Sequence, residues 1–173
     1  AEPGHGKGWF EIQDEASQIA ALLSGAAPRR QVLDLCAGAG GKTLAMAAVM
    51  QNTGQIYAYD ADRVQLRPIF ERLKRAGVRN AQVLPAGDEE AVRALGARFD
   101  VVLVDAPCTG SGVWRRRPDA KWRVKPQNLA DRQKEQQEVL ELAVPLVKPG
   151  GRLVYVTCSV LPEENKDQVT AFL

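Results

Sequence analysis

The stretch Phe99–Gly112, F-D-V-V-L-V-D-A-P-C-T-G-S-G, decides the fold. It opens as an unbroken apolar run, Val101–Val104, the pattern of a strand buried on both faces of a parallel sheet. It ends in Asp105, Pro107, Cys108 and two glycines, Gly110 and Gly112. In open α/β sheets, ligands bind beyond the carboxyl ends of the strands. A carboxylate, a thiol and permissive backbone at that place are therefore candidates for chemistry. An ordinary Pro/Gly turn would use the same residues, so the rest of the chain must decide.

Upstream, the strand Val32–Cys36 runs straight into A-G-A-G-G-K-T and a helix, Leu44–Met50. Strand, glycine loop and helix together aim backbone N–H groups and a helix dipole at a polar ligand. A phosphate-binding P-loop would need glycine at position 36, where Cys36 stands, and a dinucleotide fingerprint would need it at 43, where Thr43 stands. What remains is a D-L-x-x-G-x-G turn with Asp34 at the strand's end, similar to the first motif of S-adenosylmethionine (SAM)-dependent methyltransferases. The next strand, Gln55–Tyr59, ends in Asp60, placed to accept both hydroxyl hydrogen bonds of a ribose. Asp62 then caps the helix Arg63–Ala76. A third strand, Ala81–Leu84, leads to Asp88, which either accepts from an adenine amino group or caps the helix Glu89–Leu95; adenine is the preferred reading.

At the start of the chain, Ala1–Gly8 reads as frayed, Trp9–Gln13 alternates like a short strand, and Asp14 caps a helix with an apolar face at Ile19, Ala20, Leu22 and Leu23. Past Gly112, a long helix over Gln127–Val147 buries Leu129, Val139, Leu140, Leu142, Ala143 and Leu146. Pro149-Gly150-Gly151 turns the chain into a fifth strand, Arg152–Val156, ending in T-C-S, and a last helix occupies Leu161–Leu173. Five strands alternating with helices give a doubly wound, mostly parallel α/β sheet.

The 173 residues, 45% of them apolar, suffice for one domain with a real core. No run approaches the roughly 18 apolar residues of a membrane helix. The three cysteines, at 36, 108 and 158, have no disulfide or metal spacing and fit reduced thiols in the cytoplasm. Net charge is only +2, yet Arg115, Arg116, Arg117, Lys121, Arg123 and Lys125 cluster against the single acid Asp119, leaving 17 basic and 20 acidic residues elsewhere. A basic patch directly after the deciding strand points to nucleic acid. Trp114 and Trp122 within it either stack on a base or pack on the core, and core packing is expected for at least one.

Cys108 and Cys158 each follow a strand onto the ligand-binding rim, and the two strands are expected to be neighbours. A thiolate is a natural nucleophile for the electron-poor C6 of a pyrimidine. Asp105 stands where a hydrogen-bond partner for cytosine N3 is needed.

In this order, D-L-C-A-G-A-G-G-K-T, Asp60, G-D at 87–88, D-A-P-C-T-G-S-G, R-R-R-P-D-A-K-W-R and V-T-C-S resemble the Sun/RsmB-like family of RNA (cytosine-5) methyltransferases. The resemblance runs from W-F-E-I-Q-D-E-A-S to L-P-E-E-N, and the pairing of P-C with T-C is specific to that group. It implies a Rossmann-like SAM-dependent methyltransferase fold over residues 1–173. An RNA-binding region upstream and further strands downstream are expected to lie outside the chain, so that the fold is truncated at its C-terminus. It implies SAM on Cys36, Ala37, Gly38, Ala39, Gly40, Gly41, Lys42, Asp60, Asp88 and Asp105, with Cys158 as nucleophile and Cys108 assisting product release. Ribosomal or transfer RNA is the expected partner, bound through Arg115, Arg116, Arg117, Lys121 and Arg123 by a cytoplasmic monomer that uses no metal. The family's loop often reads A-A-P-G-G-K; Gly38 and Ala39 here loosen it without removing a ligand group. Amino-group methylases typically carry D/N-P-P-Y where this chain has D-A-P-C, and DNA cytosine methylases lack the T-C cysteine. The remaining alternative is a non-catalytic SAM- or RNA-binding module.

Overall fold

Each short apolar run of the sequence becomes a strand and each intervening segment crosses back over the sheet. In a computed structural model, which describes residues 2–123 and 125–173 (residue 123 by its backbone alone), the strands are β1 (Gln31–Asp34), β2 (Gln55–Ala58), β3 (Ala81–Val83), β4 (Phe99–Asp105) and β5 (Val147–Val156). The helices are α1 (Pro3–Gly6), α2 (Glu15–Leu23), α3 (Gly41–Val49), α4 (Arg63–Leu66), α5 (Ile69–Arg75), α6 (Glu89–Arg93), α7 (Pro126–Ala143) and α8 (Lys166–Phe172). All strand pairings are parallel, in the order β3-β2-β1-β4-β5. Strand order reverses between β1 and β4, and such a switch point opens a crevice at the carboxyl ends of the strands.

The deciding stretch forms β4, an inner strand flanked by β1 and β5, as its apolar run requires. Val101, Val102, Leu103 and Val104 are all 0% exposed, each contributing roughly 1.5–3 kcal/mol relative to exposure. Val102 and Val104 join Leu33, Phe99, Val92 and Leu142 on the face covered by α6 and α7. Val101 and Leu103 join Val32, Ile56 and Met46 on the opposite face, under α2 and α3. The layer on that face continues through Leu66, Ile69 and Leu73 of α4 and α5. No described helix is long and apolar enough to cross a membrane.

Several expected elements differ. Trp9–Gln13 is not a strand: it joins neither edge of the sheet, and Trp9 and Ile12 stand exposed. Glu11 anchors the segment instead, by ion pairs to Arg72 and Arg75. Helix α2 faces the other way from its predicted stripe, burying Ala21 and exposing Ile19, Leu22 and Leu23. The Asp14 side chain makes no cap bond there and reaches Arg116 Nε at 3.4 Å. The helix expected over 63–76 breaks at Pro68, whose missing N–H and ring cannot continue α4. Strand β5 starts five residues early, because Pro149-Gly150-Gly151 bulges within it; the register passes from Phe99↔Val147 to Val101↔Arg152. Trp114 and Trp122 lie on the connection between β4 and α7, Trp122 in a 3-10 turn over Pro118–Arg123, and neither is buried, which corrects the expected core role.

Helix α3 begins at a left-handed Gly40, φ 83°, and a Cβ there would meet Ile69 Cγ1 at 2.4 Å. Gly40→Ala therefore loses roughly 1–3 kcal/mol from backbone strain alone, with the clash added. Urea denaturation of wild type and variant measures it, and adding Ile69→Ala is expected to recover none of the backbone part.

Candidate active site

The glycine loop leaves β1 and bends sharply back before α3. Gly38 (φ 51°) and Gly40 (φ 83°) take the left-handed backbone that side chains oppose. The Gly38 N–H donates to Asp60 Oδ2 at 2.8 Å, and the Asp62 N–H to Asp60 Oδ1 at 2.8 Å. Asp60 thus ties the tip of β2 to the loop. Arg72, which the sequence reading did not single out, donates to the Ala39 carbonyl at 2.7 Å and steadies the loop from α5. Asp62 caps α4 as expected, accepting from the N–H groups of Val64 and Gln65. Asp88 also caps its helix, one oxygen accepting from the Ala91 N–H at 2.9 Å.

Below the loop, Asp34 is fully buried. One oxygen accepts from Thr43 Oγ1 at 2.6 Å, and the other has no partner among the described residues. Burial pushes its carboxyl up to about 7, the Thr43 bond opposing this and the Asp105 charge adding to it. Lys42, on the first turn of α3, donates to Asp105 Oδ2 at 2.5 Å, joining the glycine loop to the tip of β4 across the switch point. Cys36 packs against the core, and burial pushes its thiol far up, so it stays protonated.

The two rim thiols meet. Register pairs Asp105 with Val156, so β4 and β5 leave the sheet level with each other. Cys108 and Cys158 then lie with their sulfurs 3.2 Å apart, sharing a hydrogen bond, and both are free thiols. Two loop contacts hold this approach: the Gly112 N–H donates to the Cys158 carbonyl at 2.9 Å, and the Ser111 and Ser159 hydroxyls share a bond at 2.9 Å. A Cβ on Gly112 would stand 2.7 Å from the Cys158 carbonyl oxygen, so only glycine permits it. The shared proton is held unequally. The bond to Cys158, together with burial, pushes the Cys108 thiol well above its ordinary range. The bond from Cys108 pulls Cys158 down to about 7, against burial and the Asp105 charge and with help from Lys42. The two opposite shifts favour negative charge on Cys158 over Cys108.

Beside Cys108 opens a cleft of about 730 Å³, lined also by Thr109, Arg116, Arg117, Asn128 and Arg132. The structure places Arg116 and Arg117 in the cleft with Cys108 and leaves Arg115 and Lys121 exposed outside this lining. The Arg123 side chain lies outside the described residues. Lys121 Nζ stands 4.6 Å over the exposed Trp122 ring. Asn128 and Arg132 escaped the sequence reading because they sit on a helix whose charge looked solvated. Gln136 did leave a signal: it falls between Leu129 and Leu140 on the buried stripe of α7, and it is 0% exposed. Among the described residues no group of three or more His, Cys, Asp or Glu is arranged to hold a metal ion.

The family model for the 16S rRNA methyltransferases RsmB/F matches residues 21–173. The chain belongs to the RsmB/F family. It is 40% identical over 173 residues to ribosomal RNA small subunit methyltransferase B of Salmonella typhi, covering all of this chain and 40% of that protein. The chain thus spans about 40% of the length of the curated relatives it matches. Among solved structures, that of PH0851 superposes with a TM-score of 0.93 at 37% identity, covering 98% of this chain and 38% of the other. That of NSun6 from Pyrococcus horikoshii with SFG gives 0.87 at 32% identity, covering 97% and 43%. The doubly wound, Rossmann-like sheet read from the sequence is the fold of this RsmB/F chain.

Two titrations test these electrostatics. Alkylation of Cys158 by iodoacetamide, followed by peptide mass spectrometry, is expected to rise with a midpoint near pH 7 rather than the ordinary thiol value of about 8.5. Cys108→Ala, which removes the donor, is expected to move the midpoint upward. Asp34 binds its proton more tightly folded than unfolded, so it subtracts stability as pH rises from about 4 to about 7. Asp34→Asn is therefore expected to raise the melting temperature at pH 8 more than at pH 4.

Proposed function

We propose that residues 1–173 form a catalytic domain that transfers a methyl group from SAM to C5 of a cytosine in RNA, ribosomal RNA before transfer RNA. The observation that carries this reading is the thiol pair: a low Cys158 and a protonated Cys108 at 3.2 Å, beside Asp105 on the rim of a SAM-type glycine loop. Membership of the RsmB/F family supports the RNA and the methyl transfer. NSun6, crystallised with the SAM analogue SFG, supports the cofactor.

The loop suits that cofactor. A Cβ on Gly38 would meet nothing closer than Asp60 Oδ2, at 4.0 Å, so its backbone borders open space beside a carboxylate. Cys36, Ala37, Gly38, Ala39, Gly40, Gly41 and Lys42 would line the methionine side. Asp60 would accept from the ribose, and Asp88 would turn the oxygen not used in its cap bond toward the adenine. SAM supplies an electrophilic methyl group on its sulfonium.

Everything else falls to the chain. The Cys158 thiolate adds to C6, forming an S–C6 bond, and the C5=C6 electron pair moves to C5, which would bond to the methyl group as the methyl–sulfonium bond breaks and its electron pair stays on a neutral thioether. Asp105, carrying a proton on the oxygen not bonded to Lys42, donates to N3 and so stabilises the electron density that attack at C6 pushes into the ring. Loss of the C5 proton to a base returns the pair to C5=C6 and expels the Cys158 thiolate, with Cys108 assisting release. Arg116, Arg117 and Arg132 hold phosphates at the cleft, Arg115, Lys121 and Arg123 extend the basic surface, and Trp122 offers a face for a neighbouring base. The protein acts as a cytoplasmic monomer without a metal.

Incubating the protein and labelled SAM with total RNA, then mapping 5-methylcytosine, tests the reading, with a label at N4 or on a purine counting against it. Cys158→Ala is expected to abolish transfer. Cys108→Ala is expected to accumulate a protein–RNA adduct that survives denaturing gels; accumulation in Cys158→Ala instead would reverse the two roles.

A further inference from the structure

Glu164 has no place in the scheme above, yet it is fully buried. It forms no ion pair with any described residue, although a buried carboxylate without compensation is among the costliest arrangements in a protein. Its compensation comes from neutral donors. Oε1 accepts from the Thr109 N–H at 2.8 Å and from Gln136 Nε2 at 3.1 Å, and Oε2 accepts from Thr109 Oγ1 at 2.5 Å. Gln136 Nε2 also donates to the Pro107 carbonyl at 2.9 Å. The residues on both sides of Cys108 are therefore fastened to one buried Gln–Glu pair.

The neighbouring residue does the same for the other thiol. Asn165 Nδ2 donates to the carbonyls of Ser159 (3.0 Å) and Leu161 (2.9 Å), and its Oδ1 accepts from Thr157 Oγ1 at 2.7 Å. Two consecutive residues thus brace two loops, one holding each cysteine. Tyr155 of β5 fixes their backbone by donating to the Glu164 carbonyl at 2.9 Å. Apolar residues of the same volume often serve stability as well as a buried charge does. What they cannot do is specify where a polar three-residue loop lies, because they offer no directional partners.

We propose that Glu164 is a positioning residue which, through Thr109 and Gln136, holds the Cys108 thiol in the orientation that donates to the Cys158 sulfur. The groups bearing on Cys158 are Cys108 as donor, Lys42 of α3 in favour of the thiolate, and Asp105 of β4 against it. Of these, only Cys108 is held by Glu164. Displacing the Pro107–Thr109 loop removes the donor and leaves the other two groups in place. The consequence for methyl transfer rests on the function proposed above; the effect on the thiols does not.

The test is the pH profile of Cys158 alkylation by iodoacetamide in Glu164→Ala and Glu164→Gln, with melting temperature recorded in parallel. Glu164→Ala is expected to raise the midpoint from near pH 7 toward the ordinary thiol value of about 8.5, lowering reactivity at pH 7 by roughly tenfold. Glu164→Gln keeps the length and an acceptor for Thr109 N–H, while the Thr109 hydroxyl can turn to accept; it is expected to recover most of the wild-type midpoint. Thr109→Val, which loses only the hydroxyl donor, gives a smaller upward shift and serves where Glu164→Ala does not fold. A folded Glu164→Ala or Thr109→Val with a lower melting temperature and an unmoved midpoint would overturn the proposal. A wild-type protein that transfers no methyl group while showing these shifts would sink the proposed function alone.

Discussion

The parallel pairing of β4 with β5 is the constraint on which the rest depends. It sets Asp105 level with Val156, and two short loops then deliver Cys108 and Cys158 to sulfur contact at 3.2 Å. Neither cysteine would be unusual alone, since a partly buried thiol normally stays protonated. Together they divide one proton, and the geometry of the division, set by Gly112, Ser111, Glu164 and Asn165, makes Cys158 the more acidic thiol and Cys108 the donor.

The rest of the rim is arranged around negative charge. Asp34, Asp60 and Asp105 converge at the switch point, and among the described residues only Lys42 bonds one of them with a cation, Asp105. Burial pushes the Asp34 carboxyl up to about 7, so at neutral pH it carries only part of a full charge, which reduces the repulsion its neighbours would feel. Asp60 spends its carboxylate on the Gly38 and Asp62 backbone, so the loop's shape exists before any ligand arrives. That pre-ordering lowers the entropy that binding must overcome.

Much of this was legible from residue order because the strands of a doubly wound sheet are buried on both faces and announce themselves as apolar runs. Their exits are then fixed by topology, and Asp60, Asp105, Cys108 and Cys158 could be placed on one rim without coordinates. What the sequence concealed were contacts between distant segments. The pull of Glu11 on Arg72 and Arg75 held Trp9–Gln13 off any sheet, and alternation alone could not reveal that. The inverted face of α2 depended on which residue α3 would meet. Nothing in L-P-E-E-N sets Glu164 apart from its neighbour Glu163, although the fold buries it, whereas Gln136, a polar residue on an apolar stripe, carried a signal in plain view.

The central claim is that Cys158, not Cys108, bonds to the base. Incubating the protein and SAM with RNA containing 5-fluorocytosine removes the last step, because fluorine at C5 cannot leave as a proton does, and the adduct should persist. Digestion and mass spectrometry of that adduct is the most direct measurement. The account predicts the nucleotide mass on the peptide containing Cys158; finding it on the peptide containing Cys108 would contradict it.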